Sequence, residues 1–309
     1  MVAKKIALIV NPNSANGATG KEWPRIEARA RERLGSFETH ITTGPGHATR
    51  LARQVALSGV DIVVCVGGDG TLNEVINGIM DQDRPLGPDV MVGFIPRGTG
   101  CDFVRSISIP KDLDRALDNI LSLRSCCIDL GKLTYQDHEG ETSVRYFHNV
   151  ASFGLGGEVD ERVNRTTKVF GGFLSFIWAT LIGILLYEKK SVHLRVDDHF
   201  DEEVTTWNIA VANAQYHGGG MWVAPGANLS DGLFQLTVIG DLNIAGVFWN
   251  LPRLYNGTIY EHKKITRLTG RHITASSMQS VLIDMDGEQP GQLPVAVEIV
   301  PSAIRIICD

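Results

Sequence analysis

Two hydrophobic periods alternate along the chain from Lys4 to Ser125. Strand-like apolar runs are separated by segments in which apolar residues recur at helical spacing, as Leu72, Val75 and Ile79 do. This alternation predicts βαβ units, and therefore an α/β domain with a parallel sheet and helices on both of its faces. The predicted strands are Lys4–Val10, Phe37–Thr42, Ile62–Val66 and Val90–Ile95.

The pattern changes after Cys126, where extended runs follow one another with turn residues between them. Only Val159–Tyr187 and Ile244–Tyr255 have helical spacing. This part of the chain is therefore predicted to be a β-rich, mostly antiparallel second domain. Its predicted strands are Ile128–Tyr135, Val144–Ser152, Ser191–Val196, Thr205–Asn213, Phe234–Ile239, Val281–Met285 and Val295–Val300.

One stretch, Val169–Tyr187, carries no charged residue and approaches the roughly 20 apolar residues that a membrane-spanning helix needs. Gly171 and Gly172 interrupt its start, and no other segment looks like a second span. We therefore expect a helix that is either buried in the core or in contact with a membrane surface. The sequence leaves these two alternatives open.

Composition narrows the classes of function. The 309 residues, 43% of them hydrophobic, can bury a substantial core and are enough for two domains. The 29 basic and 35 acidic residues give a net charge of −6, which disfavours nucleic acid as a partner. Five cysteines without CxxC spacing indicate reduced thiols. The apolar run Ile6–Val10 is too short for a signal-peptide core, so we expect a cytoplasmic protein.

Four loops rich in Gly, Asn or Thr directly follow the four predicted strands of the first domain. In a parallel sheet the carboxyl ends of the strands share one edge, and ligands bind beyond that edge. The loops are therefore expected to form one cleft. They are Asn11–Asn13, Thr42–Gly44, Gly67–Thr71 and Pro96–Gly100.

The third of these loops, Gly67-Gly68-Asp69-Gly70-Thr71, lies between an apolar strand and a predicted helix. Such a loop presents free backbone N–H groups and the positive end of a helix dipole to an anion. A carboxylate beside phosphates repels them unless a divalent metal lies between, so Asp69 predicts a metal–nucleotide site. The alternative is a tight turn in which Asp69 only caps the helix.

Three further segments carry candidate chemistry that is weaker when each is taken alone. Pro96–Asp102 is either a second phosphate-binding loop or a turn in which Asp102 caps the next helix. Asp284–Glu288 is a tight turn at the end of a predicted strand. If this turn faces the cleft between the domains, Asp286 can take a proton from an attacking hydroxyl with Glu288 as its orienting neighbour; otherwise its carboxylates are only solvated. Asn228–Leu233 suits a metal-binding loop, but its spacing favours an Asp-Gly hairpin turn.

Six motifs occur in the following order: NPNSANG at Asn11, VGGDGTLNEVING at Val66, GFIPRGTGCDFVRS at Gly93, NVASFGLGGEVDERVN at Asn149, NAQYHGGGMWVAPGANLSDGLFQLTVI at Asn213 and LIDMDGEQ at Leu282. Together they resemble the diacylglycerol kinase catalytic family, in particular its soluble bacterial lipid kinases, which are relatives of sphingosine kinases. The resemblance implies a nucleotide-binding domain like that of NAD kinases and 6-phosphofructokinases, formed by residues 1–125 plus about 297–309. It implies a lipid-substrate domain at residues 126–296.

The resemblance also implies an ATP-dependent lipid kinase that uses Mg²⁺, with roles for individual residues. Asp69 would organise the catalytic Mg²⁺ through water, Asp286 would be the general base, and Glu288 would support it. Asp231, with the carbonyl groups of Asn228 and Leu233, would hold a structural Mg²⁺. The nucleotide site would be lined by Asn11, Thr43, Gly67, Gly68, Gly70, Thr71, Arg97, Gly98 and Thr99.

Cys101 departs from the family pattern, because the usual GTGND is Gly98-Thr99-Gly100-Cys101-Asp102 here and a thiol lacks the donors and acceptors of an amide. Two other interpretations stay open: a NAD kinase-like enzyme acting on a soluble dinucleotide, and a catalytically silent lipid-binding or regulatory protein. The lipid is open among diacylglycerol, monoacylglycerol, phosphatidylglycerol and sphingoid bases. Peripheral membrane contact is expected, and a homodimer is left open.

Overall fold

A computed structural model describes residues 4–87, 89–159 and 182–308 of the chain. The chain divides into two compact units, Met1–Ile128 with Ser302–Asp309, and Asp129–Pro301, which we call unit 1 and unit 2. Two long strands cross the boundary along the chain, so their residues are shared between the units. These strands are β7, Ser125–Asp137, and β19, Gly291–Ile307.

Unit 1 is built from parallel strands that alternate with helices. Its sheet has the order β19–β6–β3–β1–β2, and every pairing in it is parallel. The strands are β1 Ile6–Val10, β2 Glu38–Ile41, β3 Ile62–Gly67 and β6 Met91–Pro96, with the end of β19 beside β6. The helices are α1 Ala18–Leu34, α2 His47–Leu57, α3 Asp69–Ile79 and α4 Leu113–Ser122. The short strands β4 Met80–Asp81 and β5 Arg84–Pro85 and the 3₁₀ turns Ser14–Gly17 and Phe103–Arg105 complete it.

The burial of the unit 1 strands explains their sequence pattern. β1, β3 and β6 are buried at every residue, as expected for parallel strands covered by helices on both faces. α4 begins where the Asp112 carboxylate accepts the N–H of Arg115, and its buried stripe includes Leu117 and Ile120. The prediction of a parallel α/β domain is confirmed.

Unit 2 consists of antiparallel strands arranged in two sheets. The first contains the run β11–β10–β17–β19 together with the pair β7–β8, and the second has the order β16–β15–β12–β9–β18. The strands not yet named are β8 Thr142–Phe147, β9 Val150–Gly154, β10 Lys190–Val196, β11 Phe200–Thr206, β12 Asn208–Ala212, β15 Phe234–Ile239, β16 Ile265–Gly270, β17 His272–Ser276 and β18 Ile283–Met285. A small hairpin, β13 Tyr216–His217 with β14 Met221–Trp222, lies apart from both sheets.

Alternation along the strands divides the second sheet into two faces. Phe153, Ile209 and Met285 belong to a core that also contains Leu194 and Val297 of the first sheet. Residues one position away on the same strands therefore point to the opposite face of the second sheet. The predicted β-rich, mostly antiparallel second domain is confirmed.

Helical segments in unit 2 are short. The predicted helix at Ile244–Tyr255 is two helices, α5 Ile244–Asn250 and α6 Arg253–Asn256, and Pro252 precedes the second. Most of the apolar stretch Val169–Tyr187 lies outside the described residues, although residues 182–186 are helical. Within the described parts of the chain, no helix combines the length and apolar character that a membrane span requires.

Candidate active site

The two glycine-rich loops of unit 1 pack backbone against backbone. A Cβ atom on Gly98 would lie 2.5 Å from the Cα atom of Gly68, closer than real Cβ contacts allow. The N–H group of Arg97 donates to the carbonyl of Gly67 over 2.6 Å, which holds the loops together at this point. Glycine is therefore required here by close approach, which leaves a surface made of backbone groups.

Asp69 joins these loops through its side chain. It is the first residue of α3, and its carboxylate accepts the N–H groups of Asp102 at 2.9 Å and Phe103 at 3.4 Å. The N-cap residue of α3 is Gly68, whose position has no side-chain cap bond. The alternative of Asp69 as a simple helix cap is thus replaced by a different structural role, in which Asp69 fixes the start of the 3₁₀ turn after the second loop.

Asn11, which follows β1, and Thr71 of α3, which follows β3, are hydrogen-bonded to each other. The Asn11 amide donates to the Thr71 hydroxyl over 2.9 Å, and the backbone N–H of Asn11 donates to the carbonyl of Val66 over 3.0 Å. Thr71 covers Gly67 so closely that a Cβ atom there would lie 2.7 Å from the Thr71 hydroxyl oxygen. The structure therefore brings together the loops that follow β1, β3 and β6.

Glu74 is a residue that sequence reasoning missed. It lies on α3, and its carboxylate accepts the N–H groups of Gly46 and Ala48, each at 2.9 Å, at the start of α2. The loop before α2 carries Thr43, an exposed residue whose hydroxyl lies 2.9 Å from Nδ1 of His47. Two carboxylates of α3 thus bind the backbones of two neighbouring segments: Asp69 binds the segment after the second glycine-rich loop, and Glu74 binds the start of α2. No local signal marks Glu74, since its partners lie far away in sequence.

Three other residues predicted to line the nucleotide site are Gly70, Arg97 and Thr99. The guanidinium of Arg97 donates to the carbonyls of Pro96 at 2.9 Å and Lys111 at 3.3 Å, which folds it against its own segment. Gly70 lies in the first turn of α3. Thr99 is exposed in the second loop.

Cys101 occupies a special backbone position. Its φ is +46°, in the left-handed region where asparagine is enriched among non-glycine residues. The asparagine usual in the family pattern therefore has a backbone reason. The side chain is buried, and this burial, with the nearby Asp69 carboxylate, raises the pKa of the Cys101 thiol to about 11. The thiol is protonated at neutral pH and is not a nucleophile there.

The acidic segment near the carboxyl end of unit 2 forms a tight hairpin turn. Met285 and Glu288 exchange backbone hydrogen bonds of 2.8 and 3.0 Å. The two residues between them, Asp286 and Gly287, have φ values of +51° and +86°. Positive φ at both central positions is typical of a type I′ turn, for which Asp-Gly is a preferred pair.

The Asp286 carboxylate is buried and faces the backbone around the start of β9. It accepts the N–H groups of His148, Asn149 and Val150 at 3.0, 3.1 and 2.9 Å. Nδ1 of His148 lies 2.8 Å from the same carboxylate. Burial opposes ionisation, but the His148 ring and the N–H donors outweigh it and hold the pKa of Asp286 below its usual value.

Glu288 has a different environment from Asp286. Its carboxylate receives a hydrogen bond of 2.9 Å from the Arg145 guanidinium of β8. Its side chain is 39% exposed, whereas the side chain of Asp286 is 0% exposed. Glu288 forms an ion pair with Arg145, and its expected support of Asp286 stays a prediction.

The loop at Asn228–Leu233 makes turn hydrogen bonds of its own. The Asn228 amide oxygen accepts from Ser230, and the Asp231 carboxylate accepts the N–H of Leu233 at 3.0 Å. The buried Asp129 carboxylate, which sequence reasoning missed, accepts the N–H of Gly232 at 2.8 Å. Among the described residues there is no group of three or more His, Cys, Asp or Glu side chains that could hold a metal. The predicted metal site, with its backbone carbonyls, stays a prediction.

A cavity lies on the outer face of the second sheet of unit 2. Its described walls include residues of β9, β12 and β18, of the hairpin β13–β14, and of α5 and α6. Most of the lining is apolar, including Trp207, Val247 and Leu251, but Asp284 and His217 also reach it. Asp284 interrupts the apolar run from Val281 to Met285, and this buried carboxylate within a strand was a usable sequence signal.

Family models identify both units. The diacylglycerol kinase catalytic domain matches residues 5–133, and the YegS C-terminal NAD kinase beta sandwich-like domain matches residues 149–308. A diacylglycerol kinase of Staphylococcus aureus (strain bovine RF122 / ET3-1) is 30% identical over 298 residues, covering 94% of this chain and 88% of that protein. The chain belongs to the diacylglycerol kinase catalytic family. Membership in this kinase family implies that this member uses ATP.

Solved structures show the same fold for this family member. A candidate diacylglycerol kinase from Bacillus anthracis str. Sterne aligns with a TM-score of 0.78 and 23% identity, covering 99% of this chain and 95% of that one. Yeast NADH kinase complexed with NADH aligns with a TM-score of 0.54 and 12% identity, covering 99% of this chain and 84% of that one. The predicted likeness to NAD kinases is thus confirmed at the level of the fold.

Proposed function

We propose that this kinase transfers the γ-phosphoryl group of ATP to a hydroxyl group of a lipid. The observation that carries the proposal is the apolar cavity of unit 2, which adjoins the turn at Asp286–Glu288. Asp284 lines the cavity, and its carboxylate accepts the N–H of Gly287 in that turn at 3.0 Å. An acceptor with a long apolar part matches such a lining, because each methylene group that leaves water contributes about 0.8 kcal/mol.

The nucleotide would be held by the loops of unit 1. The close approach of Gly68 and Gly98 supports this, because loops that meet through glycine backbone allow a phosphate group to come near the main chain. Asn11, Thr71, Arg97 and the exposed Thr43 and Thr99 would add polar contacts around it.

Mg²⁺ fits the Asp69 position through water rather than by direct ligation. Both carboxylate oxygens of Asp69 already accept N–H groups, yet the residue is only partly buried. Bound there, Mg²⁺ would offset the negative charge of the phosphates during transfer. We also propose that Asp231, with the carbonyls of Asn228 and Leu233, holds a structural Mg²⁺; the nearby Asp129 carboxylate would add to its field.

Proton removal from the lipid hydroxyl is assigned to the turn at Asp286–Glu288. The sequence favoured Asp286 as the base, but its full burial and its three N–H donors count against direct contact with an alcohol. Glu288 is partly exposed and held by Arg145, which favours it as the group that meets the hydroxyl. Asp286 would then act as a positioning residue that fixes the turn.

Peripheral membrane contact is part of the proposal, since a lipid acceptor must be delivered from a bilayer. Trp249 of α5 is 86% exposed, and Ile244 and Tyr255 are also exposed on α5 and α6. Exposed tryptophan beside apolar residues is typical of surfaces that enter the membrane interface. In vesicle flotation, Trp249→Ala should reduce the bound fraction several-fold while Trp23→Phe, a buried site in unit 1, should not. Equal binding by both variants would exclude α5 as the contact.

The decisive assay supplies radiolabelled ATP with a panel of mono- and diacylglycerols, phosphatidylglycerol, sphingosine and NAD. We expect Mg²⁺-dependent label in a lipid product and none in NADP. Label transferred only to NAD would replace the lipid proposal with the dinucleotide kinase. No transfer to any acceptor, by protein shown to bind ATP, would support the catalytically silent alternative.

A further inference from the structure

Strand alternation decides which side chains face the cavity of unit 2. Ala151 and Phe153 of β9 and Met285 of β18 belong to the core between the sheets. Ser152 and Asp284, which alternate with them, point to the cavity face. The strand register therefore places these polar residues on the cavity face, opposite the core between the two sheets.

Asp284 is the centre of a hydrogen-bonded cluster in this otherwise apolar wall. It is 1% exposed, and its carboxylate accepts the hydroxyl of Ser152 at 3.1 Å and lies 2.7 Å from Nε2 of His217. The other carboxylate oxygen accepts the N–H of Gly287. Burying a carboxylate in an apolar wall is costly, and an apolar side chain at this position of β18 would be more stable. The cluster is better explained by a ligand than by stability.

The charge of the described cavity lining indicates which head groups the ligand can carry. Among the described residues that line the cavity there is no Lys or Arg, and Asp284 is the acidic one. An anionic head group in the cavity would lie beside the Asp284 carboxylate, and like charges repel. A hydroxyl group, which both donates and accepts, matches Ser152 and His217.

We propose that Asp284, His217 and Ser152 form a polar anchor that hydrogen-bonds a neutral oxygen function of an uncharged lipid, whose chain lies in the cavity. The lipid character of the ligand rests on the proposed function. The anchor itself rests on the cluster geometry. Through Gly287 the anchor also touches the turn that carries Asp286 and Glu288, so a lipid held there has its polar end beside the proposed base. These three residues are positioning and specificity residues rather than catalytic ones.

The test measures binding without ATP, so that it is independent of phosphoryl transfer. Trp207 lines the cavity and is buried, so a brominated ligand in the cavity should quench its fluorescence. Two probes of equal chain length are compared: a chain-brominated monoacylglycerol and a bromoalkane without a head group. Trp207→Phe establishes how much of the signal arises in the cavity.

Four variants separate the anchor from the chain site. Asp284→Asn and Ser152→Ala should weaken binding of the monoacylglycerol about 10-fold and about 3-fold, while the bromoalkane binds as before. Ala210→Phe, which fills the cavity wall, should abolish binding of both probes. Asp137→Asn is the matched control, since this partly buried carboxylate also accepts a serine hydroxyl, that of Ser143, but lies outside the cavity lining. It should change neither affinity.

Unchanged monoacylglycerol affinity in both Asp284→Asn and Ser152→Ala would overturn the anchor. So would an equal loss for both probes, because that result would indicate a role in shape alone. Sphingosine bound more tightly than the monoacylglycerol, with the difference lost in Asp284→Asn, would replace the neutral ligand with a cationic one. If the anchor is confirmed while labelled ATP yields no lipid product, the proposed function fails and the binding site stands.

Discussion

The candidate sites of the two units are built from different materials. In unit 1 the loops meet through backbone atoms, with Gly68 against Gly98, and the carboxylates of Asp69 and Glu74 bind N–H groups of neighbouring loops. In unit 2 side chains form the site, as the contacts of Asp284 with His217 and of Glu288 with Arg145 show. A backbone surface suits any phosphate, whereas a side-chain surface can select an acceptor. The difference predicts that activity tolerates changes of side chain in unit 1 but not changes in the shape of its loops. In unit 2 we expect activity to depend on the identity of the side chains.

The strongest test of the side-chain site is Glu288→Gln. If Glu288 takes the proton, the rate of phosphoryl transfer should fall about 10²–10⁴-fold. The melting temperature should hardly move, because a half-exposed ion pair with Arg145 contributes little to stability. Radiolabelled turnover and thermal unfolding are measured on the same preparation. Full turnover in Glu288→Gln together with a large loss in Asp286→Asn at unchanged stability would return the base to Asp286.

The backbone site is tested by Gly98→Ala. The added Cβ atom would lie 2.5 Å from Gly68, so the loops must separate, and we expect turnover to fall about 100-fold. Gly44→Ala is the matched control, since a Cβ atom there meets nothing within 4 Å. Equal activity of the two variants would show that the close approach of the loops is not needed.

Asp286 is expected to contribute chiefly to the stability of unit 2. Asp286→Asn removes a buried charge that accepts three N–H groups, and we expect the free energy of unfolding to fall by about 3 kcal/mol. The sign of its pH dependence follows from its lowered pKa. The stabilisation is present above the unfolded value of 3.8 and is lost as the pH falls through the lower folded value.

Urea unfolding from about pH 6 to about pH 2 measures this dependence. The difference in stability between the wild type and Asp286→Asn should shrink toward the acid end of the range. A difference that stays constant down to the lowest pH would contradict the assignment of an ionised, stabilising Asp286.

The smallest expected effect concerns Cys101. Because burial raises its pKa to about 11, its thiol should react with iodoacetamide far more slowly than that of the exposed Cys127 at neutral pH. Peptide mass spectrometry at successive times measures the order of alkylation. Modification of Cys101 before Cys127 in the folded protein would show that the second loop of unit 1 opens readily.

Sequence reasoning was most successful where the signal is local. The strands and following loops of unit 1 were predicted to within a few residues, because buried runs and glycines mark their own positions. In unit 2 the hairpin at Tyr216–Trp222 was missed, since short strands carry little periodicity.

The amino-acid sequence by itself determined the parallel and antiparallel architectures and the family, because hydrophobic period and glycine-rich motifs act over a few neighbouring residues. Only the tertiary structure decided what each acidic residue touches. Asp69 and Asp102 lie on different loops, and Asp284 and His217 are far apart along the chain. Which carboxylate is buried and which remains accessible depends on strand register and loop packing, and these are properties of the folded chain as a whole.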